Sequence, residues 1–156
     1  APAMITRHVF FVGRGYWVLW DEFNDVPDGQ ALWENFHFAT RDLHMDESGR
    51  SVTTAFETGP NLKMHIATPG WKVTREDTRM WPRYGRDTEP TATVHLRANS
   101  TTAKRGFATV FAVVQKGKPS PPSIDQIERL PDGRVRLHVS AESGDRLLTT
   151  RAFGNE

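Results

Sequence analysis

The sequence predicts an all-β protein, built as a two-layer antiparallel β-sandwich with no substantial helix. Short runs of β-forming residues alternate between apolar and polar, and turn-forming residues separate them at intervals of roughly 8 to 12 residues. About ten to twelve such runs are present, without one convincing amphipathic helix between them. A single sheet of that many strands would curl or split, so we expect two packed sheets, with a closed barrel as the lesser alternative.

The strands of the first half follow from alternation and from turns that contain glycine or proline. Two glycines flank Arg14 and close a first hairpin, because glycine tolerates the positive φ of tight turns. Phe36 and Phe38 alternate with Asn35 and His37, which indicates a strand with one apolar face. The predicted strands are residues 4–12, 16–23, 31–39, 42–46, 51–57, 62–66 and 71–75.

The second half continues the same pattern. Residues 107–114 are almost wholly apolar, which is typical of a central strand covered on both faces. Residues 124–130 and 134–140 form a half-buried hairpin around a Pro-Asp-Gly turn, and residues 116–123 form a Pro-rich connection. The remaining predicted strands are residues 94–97 and 145–152. At 156 residues, the chain is expected to be a single domain, residues 1–156, and a C-terminal fragment of a longer protein.

The composition narrows the classes of function. Twenty basic and 19 acidic side chains leave a net charge of +1, which gives no global field to gather nucleic acid or an anionic membrane. The longest apolar stretches are far shorter than the roughly 20 residues that a membrane-spanning helix needs. Cysteine is absent, which excludes disulfides, thiolate nucleophiles and cysteine-based zinc sites but leaves the cellular compartment open. No signal peptide is visible at the N-terminus.

Several short motifs occur in an order that is more specific than any one of them. They are Arg-His-Val-Phe-Phe-Val at 7–12, Tyr-Trp-Val-Leu-Trp-Asp at 16–21, Glu-Asn-Phe-His-Phe at 34–38, Pro-Gly-Trp-Lys-Val at 69–73, Tyr-Gly at 84–85 before Pro90, and Gly-Phe-Ala-Thr-Val-Phe at 106–111. In this order they resemble the C-terminal β-sheet domain of heparinase II/III-like polysaccharide lyases, over about residues 7 to 115.

The resemblance implies a bacterial, periplasmic or secreted lyase that cleaves uronic-acid glycans such as heparin, heparan sulfate or alginate by β-elimination. In such a protein, an α-helical toroid and a β-region precede the C-terminal domain and are its partners. The family's catalytic Asn or His and its Tyr lie on the toroid, a further His lies in the preceding β-region, and some members hold zinc through His-x-His and His-Asn motifs. This chain has neither motif. We therefore expect no catalytic residue, metal ligand or cofactor in it.

One segment has the composition of a binding loop for an acidic glycan. Three arginines and two aromatic residues interleave within eight positions, and we interpret Arg79, Trp81, Arg83, Tyr84 and Arg86 as candidate substrate-binding residues. Aromatic rings stack on pyranose rings, and guanidinium groups bind carboxylate or sulfate in bidentate fashion. The competing interpretation is a structural connection that a buried Trp81 fixes while its arginines are solvated.

Histidine and the other aromatic residues are better explained by packing. Each of the six histidines, His8, His37, His44, His65, His95 and His138, occupies the polar phase of a separate strand. A weak metal site is conceivable only if adjacent strands bring His37 and His44 together near Asp42 or Asp46. Trp17, Trp20, Trp33 and Trp71 are expected in core or sheet-face packing. Tyr16 is expected on an interior strand, and Tyr84 has no evident partner.

The leading hypothesis is an accessory β-sandwich domain of a polysaccharide lyase, which is not catalytic alone. Two alternatives stay open. One is a stand-alone carbohydrate-binding module for anionic glycans, and the other is a structural interaction domain.

Overall fold

The computed structural model describes residues 4–12, 15–68, 70–80, 88–99, 106–114, 123–140, 144 and 146–149. These residues form twelve strands and no helix, which confirms the all-β prediction. The strands are β1 (Met4–Val12), β2 (Tyr16–Asn24), β3 (Ala31–Phe38), β4 (Leu43–Met45), β5 (Ser51–Thr54), β6 (Asn61–Ile66), β7 (Lys72–Met80), β8 (Glu89–Asn99), β9 (Phe107–Val114), β10 (Ser123–Arg129), β11 (Val135–Ser140) and β12 (Arg146–Thr149).

The strands assemble into three antiparallel sheets. The largest, here called the central sheet, has the order β1-β2-β9-β6-β5-β4. A second sheet has the order β3-β8-β7, and a third has the order β10-β11-β12. Hairpins join several sequence neighbours, whereas β9 pairs with β2 and β6, and β8 pairs with β3.

The central sheet is packed on both faces. Consecutive residues of a strand point to opposite faces, so β2 and β9 serve two hydrophobic cores at once. The first core lies between the central sheet and the β10-β11-β12 sheet, where Val18 and Val110 meet Leu137. The second lies between the central sheet and the β3-β8-β7 sheet, where Phe107 meets Leu96. The predicted sandwich is confirmed, and a further sheet forms a third layer.

Strand β9 shows why the double packing requires an apolar sequence. Its residues from Phe107 to Ala112 are all buried, and they alternate between the two cores. This confirms the prediction of a central strand that is covered on both faces. Immediately before β9, Gly106 has φ +105°, and a Cβ atom there would overlap the backbone carbonyl of Asp21. Glycine at this position therefore lets β9 start in contact with β2.

The lengths of some strands differ from the prediction. Strand β7 continues to Met80, and β8 begins at Glu89, because each residue of β7 pairs with one of β8. The sequence of β7 is rich in charged residues and lacks the apolar alternation that marks a strand. Backbone hydrogen bonding to β8 therefore accounts for the length of β7, which the side-chain pattern does not predict. Of the predicted connection at 116–123, Ser123 begins β10, and the other residues lie outside the described ranges.

Two buried threonine hydroxyls, one without and one with hydrogen-bond partners, allow the effect of an unpaired buried hydroxyl on stability to be measured. The hydroxyl of Thr109 is buried on the second-core side of β9 and has no hydrogen-bond partner in the described part of the chain. The hydroxyl of Thr93 is also buried, but it lies 2.9 Å from His37 Nδ1 and 3.1 Å from Thr78 Oγ1. Valine has nearly the same shape as threonine without the polar group.

We expect Thr109→Val to raise the free energy of unfolding by up to about 1 kcal/mol, because it removes an unpaired buried hydroxyl. Thr93→Val, its matched control, should lower the free energy of unfolding by about 1 to 2 kcal/mol, because its partners lose a hydrogen bond. Urea unfolding followed by circular dichroism measures both. Equal losses in the two variants would contradict the assignment of an unpartnered Thr109.

Candidate functional site

One of the five candidate substrate-binding residues, Arg79, lies among the residues that the structure describes. Arg79 lies near the end of β7, where its Nε donates to Thr88 Oγ1 at 2.7 Å and its Nη2 donates to the Thr88 carbonyl at 3.0 Å. Arg79 was expected on a loop, and that expectation was wrong, since β7 extends through it by pairing with β8. The other four candidates lie outside the described residues. They are Trp81, Arg83, Tyr84 and Arg86.

The β3-β8-β7 sheet presents a polar surface on the side opposite the second core, here called the outer face. Strand register and alternation place a row of mostly polar side chains along the middle of this face. They are Trp33, Asn35 and His37 of β3, Thr91, Thr93, His95 and Arg97 of β8, and Lys72, Thr74, Glu76 and Thr78 of β7.

Side-chain hydrogen bonds join all three strands across the outer face. His95, on the middle strand, places Nδ1 2.7 Å from Asn35 Oδ1 of β3 and Nε2 3.0 Å from Glu76 Oε2 of β7. Farther along, Thr93 connects His37 of β3 to Thr78 of β7. The middle of the outer face is therefore held in one arrangement before any ligand is present.

At one end of the outer face, a cation lies on an exposed aromatic ring. The indole of Trp33 is 57% exposed, and the guanidinium carbon of Arg97 lies 4.1 Å from its ring centroid. Lys72 pairs with Arg97 from the other side and is also exposed. Our sequence analysis did not single out Arg97 or Lys72. The available signal was that Trp33 shares the phase of Asn35 and His37, the polar side of β3.

The other tryptophans of the described residues pack as expected. Trp20 is buried in the first core, with 2% of its surface exposed. Trp17 stacks on Phe111 at 5.7 Å between ring centroids, and Trp71 packs against Phe107 at 4.7 Å. Trp33 alone among these four lies on a face that no other sheet covers.

A charged cluster joins the central sheet to the β3-β8-β7 sheet. Arg7 of β1 donates from Nε and Nη2 to the two carboxylate oxygens of Asp21, both at 2.6 Å, and from Nη2 to Glu34 Oε1 at 2.7 Å. Asp21 is fully buried, so its charge requires this bidentate partner. Burial, with the negative charge of Asp21, raises the pKa of Glu34 to about 7, although Arg7 opposes both effects.

Each histidine that was considered as a metal ligand has a local role or is solvated. The ring of His8 stacks on Trp20 at 4.9 Å, and His65 Nδ1 lies 2.8 Å from Ser51 Oγ. Burial lowers the pKa of His65. His37 and His44 are in different sheets, so β3 and β4 are not adjacent strands. Among the described residues, no group of three or more His, Asp or Glu side chains could hold a metal ion.

Tyrosine 16 lies where the sequence analysis expected it. It opens β2, which runs between β1 and β9 in the central sheet, and its ring packs against the first core. An interior position of this kind suits a structural residue better than an acid or base that must reach substrate. The described residues also contain no helix long and apolar enough to cross a membrane.

Comparison with known proteins identifies the fold. No family model matches the chain, and no curated protein matches it by sequence. A solved structure of a heparinase III superposes with a TM-score of 0.79 at 19% identity, covering 96% of this chain and 24% of that one. The heparan sulfate lyase HepC from Pedobacter heparinus gives a TM-score of 0.72 at 16% identity, covering 97% and 24%. Another heparinase III gives 0.71 at 19% identity, covering 93% and 23%.

These structures confirm, at the level of fold, the resemblance that the motifs predict. The chain has the fold of one part of the heparinase III structures, and it spans about a quarter of their length. Nearly the whole chain is included in the superposition, so the shared fold extends beyond residues 7 to 115, where the motifs are found.

The charged cluster predicts a pH dependence of stability. Below the ordinary Glu34 pKa of 4.5, this group is protonated in both the folded and the unfolded chain. Between pH 4.5 and about 7, the unfolded chain releases this proton while the folded chain keeps it, so the free energy of unfolding falls as pH rises. The decline due to Glu34 should be on the order of 1 to 3 kcal/mol.

We expect Glu34→Gln to remove that decline, so that the variant gains stability relative to the wild type between pH 4.5 and 7.5. Urea unfolding at five pH values measures the difference. Asp132→Asn is the control, because Asp132 is exposed and its pKa is lowered by Arg134 rather than raised. A stability difference between Glu34→Gln and wild type that does not change with pH would contradict the assignment.

Proposed function

We propose that this chain is the accessory β-sandwich domain of a heparinase II/III-like polysaccharide lyase and is not catalytic alone. In this proposal, residues 1–156 form one domain that packs against an upstream α-helical toroid and β-region of the same protein. The observation that carries the proposal is an exposed apolar edge on β1, in a chain that spans a quarter of the lyases whose fold it shares.

Strand β1 is an edge of the central sheet, and among the described strands it pairs with β2 only. Three apolar side chains project from the same side of it: Ile5 is 61% exposed, Val9 is 47% exposed and Phe11 is 82% exposed. Soluble proteins protect long edge strands with charge, proline or another element. A nine-residue edge with a row of apolar side chains is therefore the surface that a neighbouring part of a larger protein would cover.

The proposed role fits the chemistry that β-elimination requires. The reaction needs a group that neutralises the uronate carboxylate, a base for the C5 proton and an acid for the leaving oxygen. We assign none of these to this chain, and the upstream parts would supply them. Export to the periplasm or out of the cell belongs to the same proposal, because the resemblance implies it.

The first test uses the gene and the intact protein. We expect sequence upstream of Ala1 to encode a helical domain, and the intact protein to release unsaturated product from heparin, heparan sulfate or alginate. The isolated chain should release none, as followed by ultraviolet absorbance. A gene that encodes no upstream domain, or product formed by the isolated chain, would overturn the proposal.

The second measurement addresses the edge directly. Amide hydrogens of β1 should exchange at least tenfold more slowly in the intact protein than in the isolated chain, because a neighbour covers them. Phe11→Arg should reverse part of this protection. Leu147→Arg is the matched control, since Leu147 is 66% exposed on β12, the edge strand of a different sheet. Equal effects of the two substitutions would remove β1 as the contact surface.

The alternative of an anionic-glycan binding module rests on the composition of residues 79–86, which is rich in arginine and aromatic residues. Two hydrogen bonds to Thr88 fix Arg79 near the position where β7 leads into residues 81–87. We expect Arg83→Ala combined with Arg86→Ala to weaken retention on an acidic-polysaccharide column. Arg134→Ala combined with Arg136→Ala removes the same charge elsewhere and is the control. Unchanged retention of the first pair would refute the binding role, and a β1 contact without sugar affinity would favour a structural interaction domain.

A further inference from the structure

We propose that Trp33, Arg97 and Lys72 form a binding site on the outer face for a sugar ring that carries a carboxylate. The site is distinct from the Arg79–Arg86 segment, because Lys72 opens β7 and Arg79 lies near its other end. It needs no upstream domain, so it goes beyond the accessory role and can be tested on the isolated chain.

Strand register places the three residues in one row. Trp33 of β3 is directly opposite Arg97 of β8, which is directly opposite Lys72 of β7. Directly opposed side chains have Cβ atoms about 5 Å apart, so the row extends roughly 10 Å across the sheet. One sugar ring with its carboxylate fits within that length.

Among the arginines that the structure describes, Arg97 lacks the acceptor for its guanidinium group that most of the others have. In the described part of the chain, the guanidinium groups of six other arginines donate to protein oxygens: Arg7, Arg50, Arg75, Arg79, Arg134 and Arg136. Arg97 instead contacts the Trp33 ring, and within the described residues neither its guanidinium nor the Lys72 ammonium has a hydrogen-bond or ion-pair partner. Contact with the indole orients the guanidinium while its N–H groups stay available, which suits bidentate binding of a carboxylate.

The charges nearby leave this end of the outer face positive. The acidic residue of β7 on this face, Glu76, is four residues from Lys72, which is about 13 Å along a strand. Glu76 also lies 3.0 Å from His95 Nε2, so it already has a partner. A carboxylate bound between Arg97 and Lys72 would therefore supply the missing counter-charge at short range.

The aromatic ring points to a sugar rather than to a free anion. A pyranose ring presents C–H groups on one face, and the exposed part of the Trp33 indole can stack against them while the carboxylate reaches Arg97. Single-stranded nucleic acid fits less well, because successive bases need several stacking rings. Among the described residues, Trp33 is the one aromatic side chain besides histidine on this face.

The neighbouring row makes the site ready for a ligand. Asn35, His95 and Glu76 hold the three strands in register next to Trp33 and Arg97. Ordering these strands therefore costs nothing when a ligand arrives, and the remaining cost is that of fixing Lys72 and the sugar. A small, exposed site of this kind should bind one or two sugar units weakly.

The test measures binding of an alginate tetrasaccharide, which carries carboxylates and no sulfate, to the isolated chain. Amide and indole chemical shifts in NMR titration report both affinity and location. We expect saturable binding with a Kd on the order of 1 mM, centred on Trp33. Arg97→Ala and Trp33→Ala should each weaken it at least tenfold, and Lys72→Ala should weaken it threefold or more. Arg97→Lys keeps the charge without the planar fork and should give an intermediate loss.

Arg41→Ala is the matched control, because Arg41 is exposed and its loss changes the net charge equally. It should leave the Kd unchanged. The unliganded spectra show whether each variant folds, and Trp33→Phe replaces Trp33→Ala if the latter does not. Dextran tetrasaccharide binding as tightly as alginate, tighter binding of a single-stranded RNA oligomer, equal losses in Arg41→Ala and Arg97→Ala, or no saturable binding would each overturn the proposal.

Discussion

The structure depends on a central sheet that is apolar on both faces. Strands β2 and β9 contribute to two cores at once, so neither has a solvent-facing side where polar residues can be placed freely. A half-buried strand can carry polar side chains on its solvent-facing side, whereas β9 has no such side. The β3-β8-β7 and β10-β11-β12 sheets each pack against the central sheet with one face only. Their other faces carry the polar residues that the central strands exclude.

That constraint explains the charged cluster. Asp21 occupies the second-core side of β2, beside Phe107 of β9, and is fully buried. A carboxylate in this position is stable only with a fixed partner, which Arg7 provides from the neighbouring edge strand. The same guanidinium reaches Glu34 of β3, so Arg7 also connects the central sheet to the β3-β8-β7 sheet. Gly106 belongs to the same arrangement, because only glycine lets the chain approach the Asp21 carbonyl closely enough to start β9.

The sequence predicts those strands whose residues alternate between apolar and polar or are apolar throughout most of their length. Strands β1, β9 and β11 were predicted within one residue of their observed bounds, because Val135, Leu137 and Val139 alternate cleanly and β9 is apolar throughout. The full length of β7 could not be predicted, since its pairing with β8 uses backbone groups whatever the side chains are. The third layer could not be predicted either. The periodicity of a strand indicates how many of its faces are buried, but not which distant strands cover them.

The same reasoning explains why the candidate binding residues were only partly recognised. A loop rich in arginine and aromatic residues is visible in the sequence because its members are contiguous. The row of Trp33, Arg97 and Lys72 comes from three strands, separated by up to 64 positions (97 − 33), and exists only through register. In the first case the composition suggests a ligand before any geometry is known. In the second, the suggestion comes from a cation that the fold holds on an aromatic ring without an acidic partner.

The two open surfaces of the described residues require different explanations. An apolar row on the β1 edge gains free energy when another polypeptide covers it, so it favours a permanent neighbour. The outer face of the β3-β8-β7 sheet already satisfies most of its polar groups internally, and burying Arg97 and Lys72 under a protein would require new acidic partners. A domain with one surface suited to assembly and another that stays hydrated can be built into a larger enzyme and still contact a charged sugar from the solvent side.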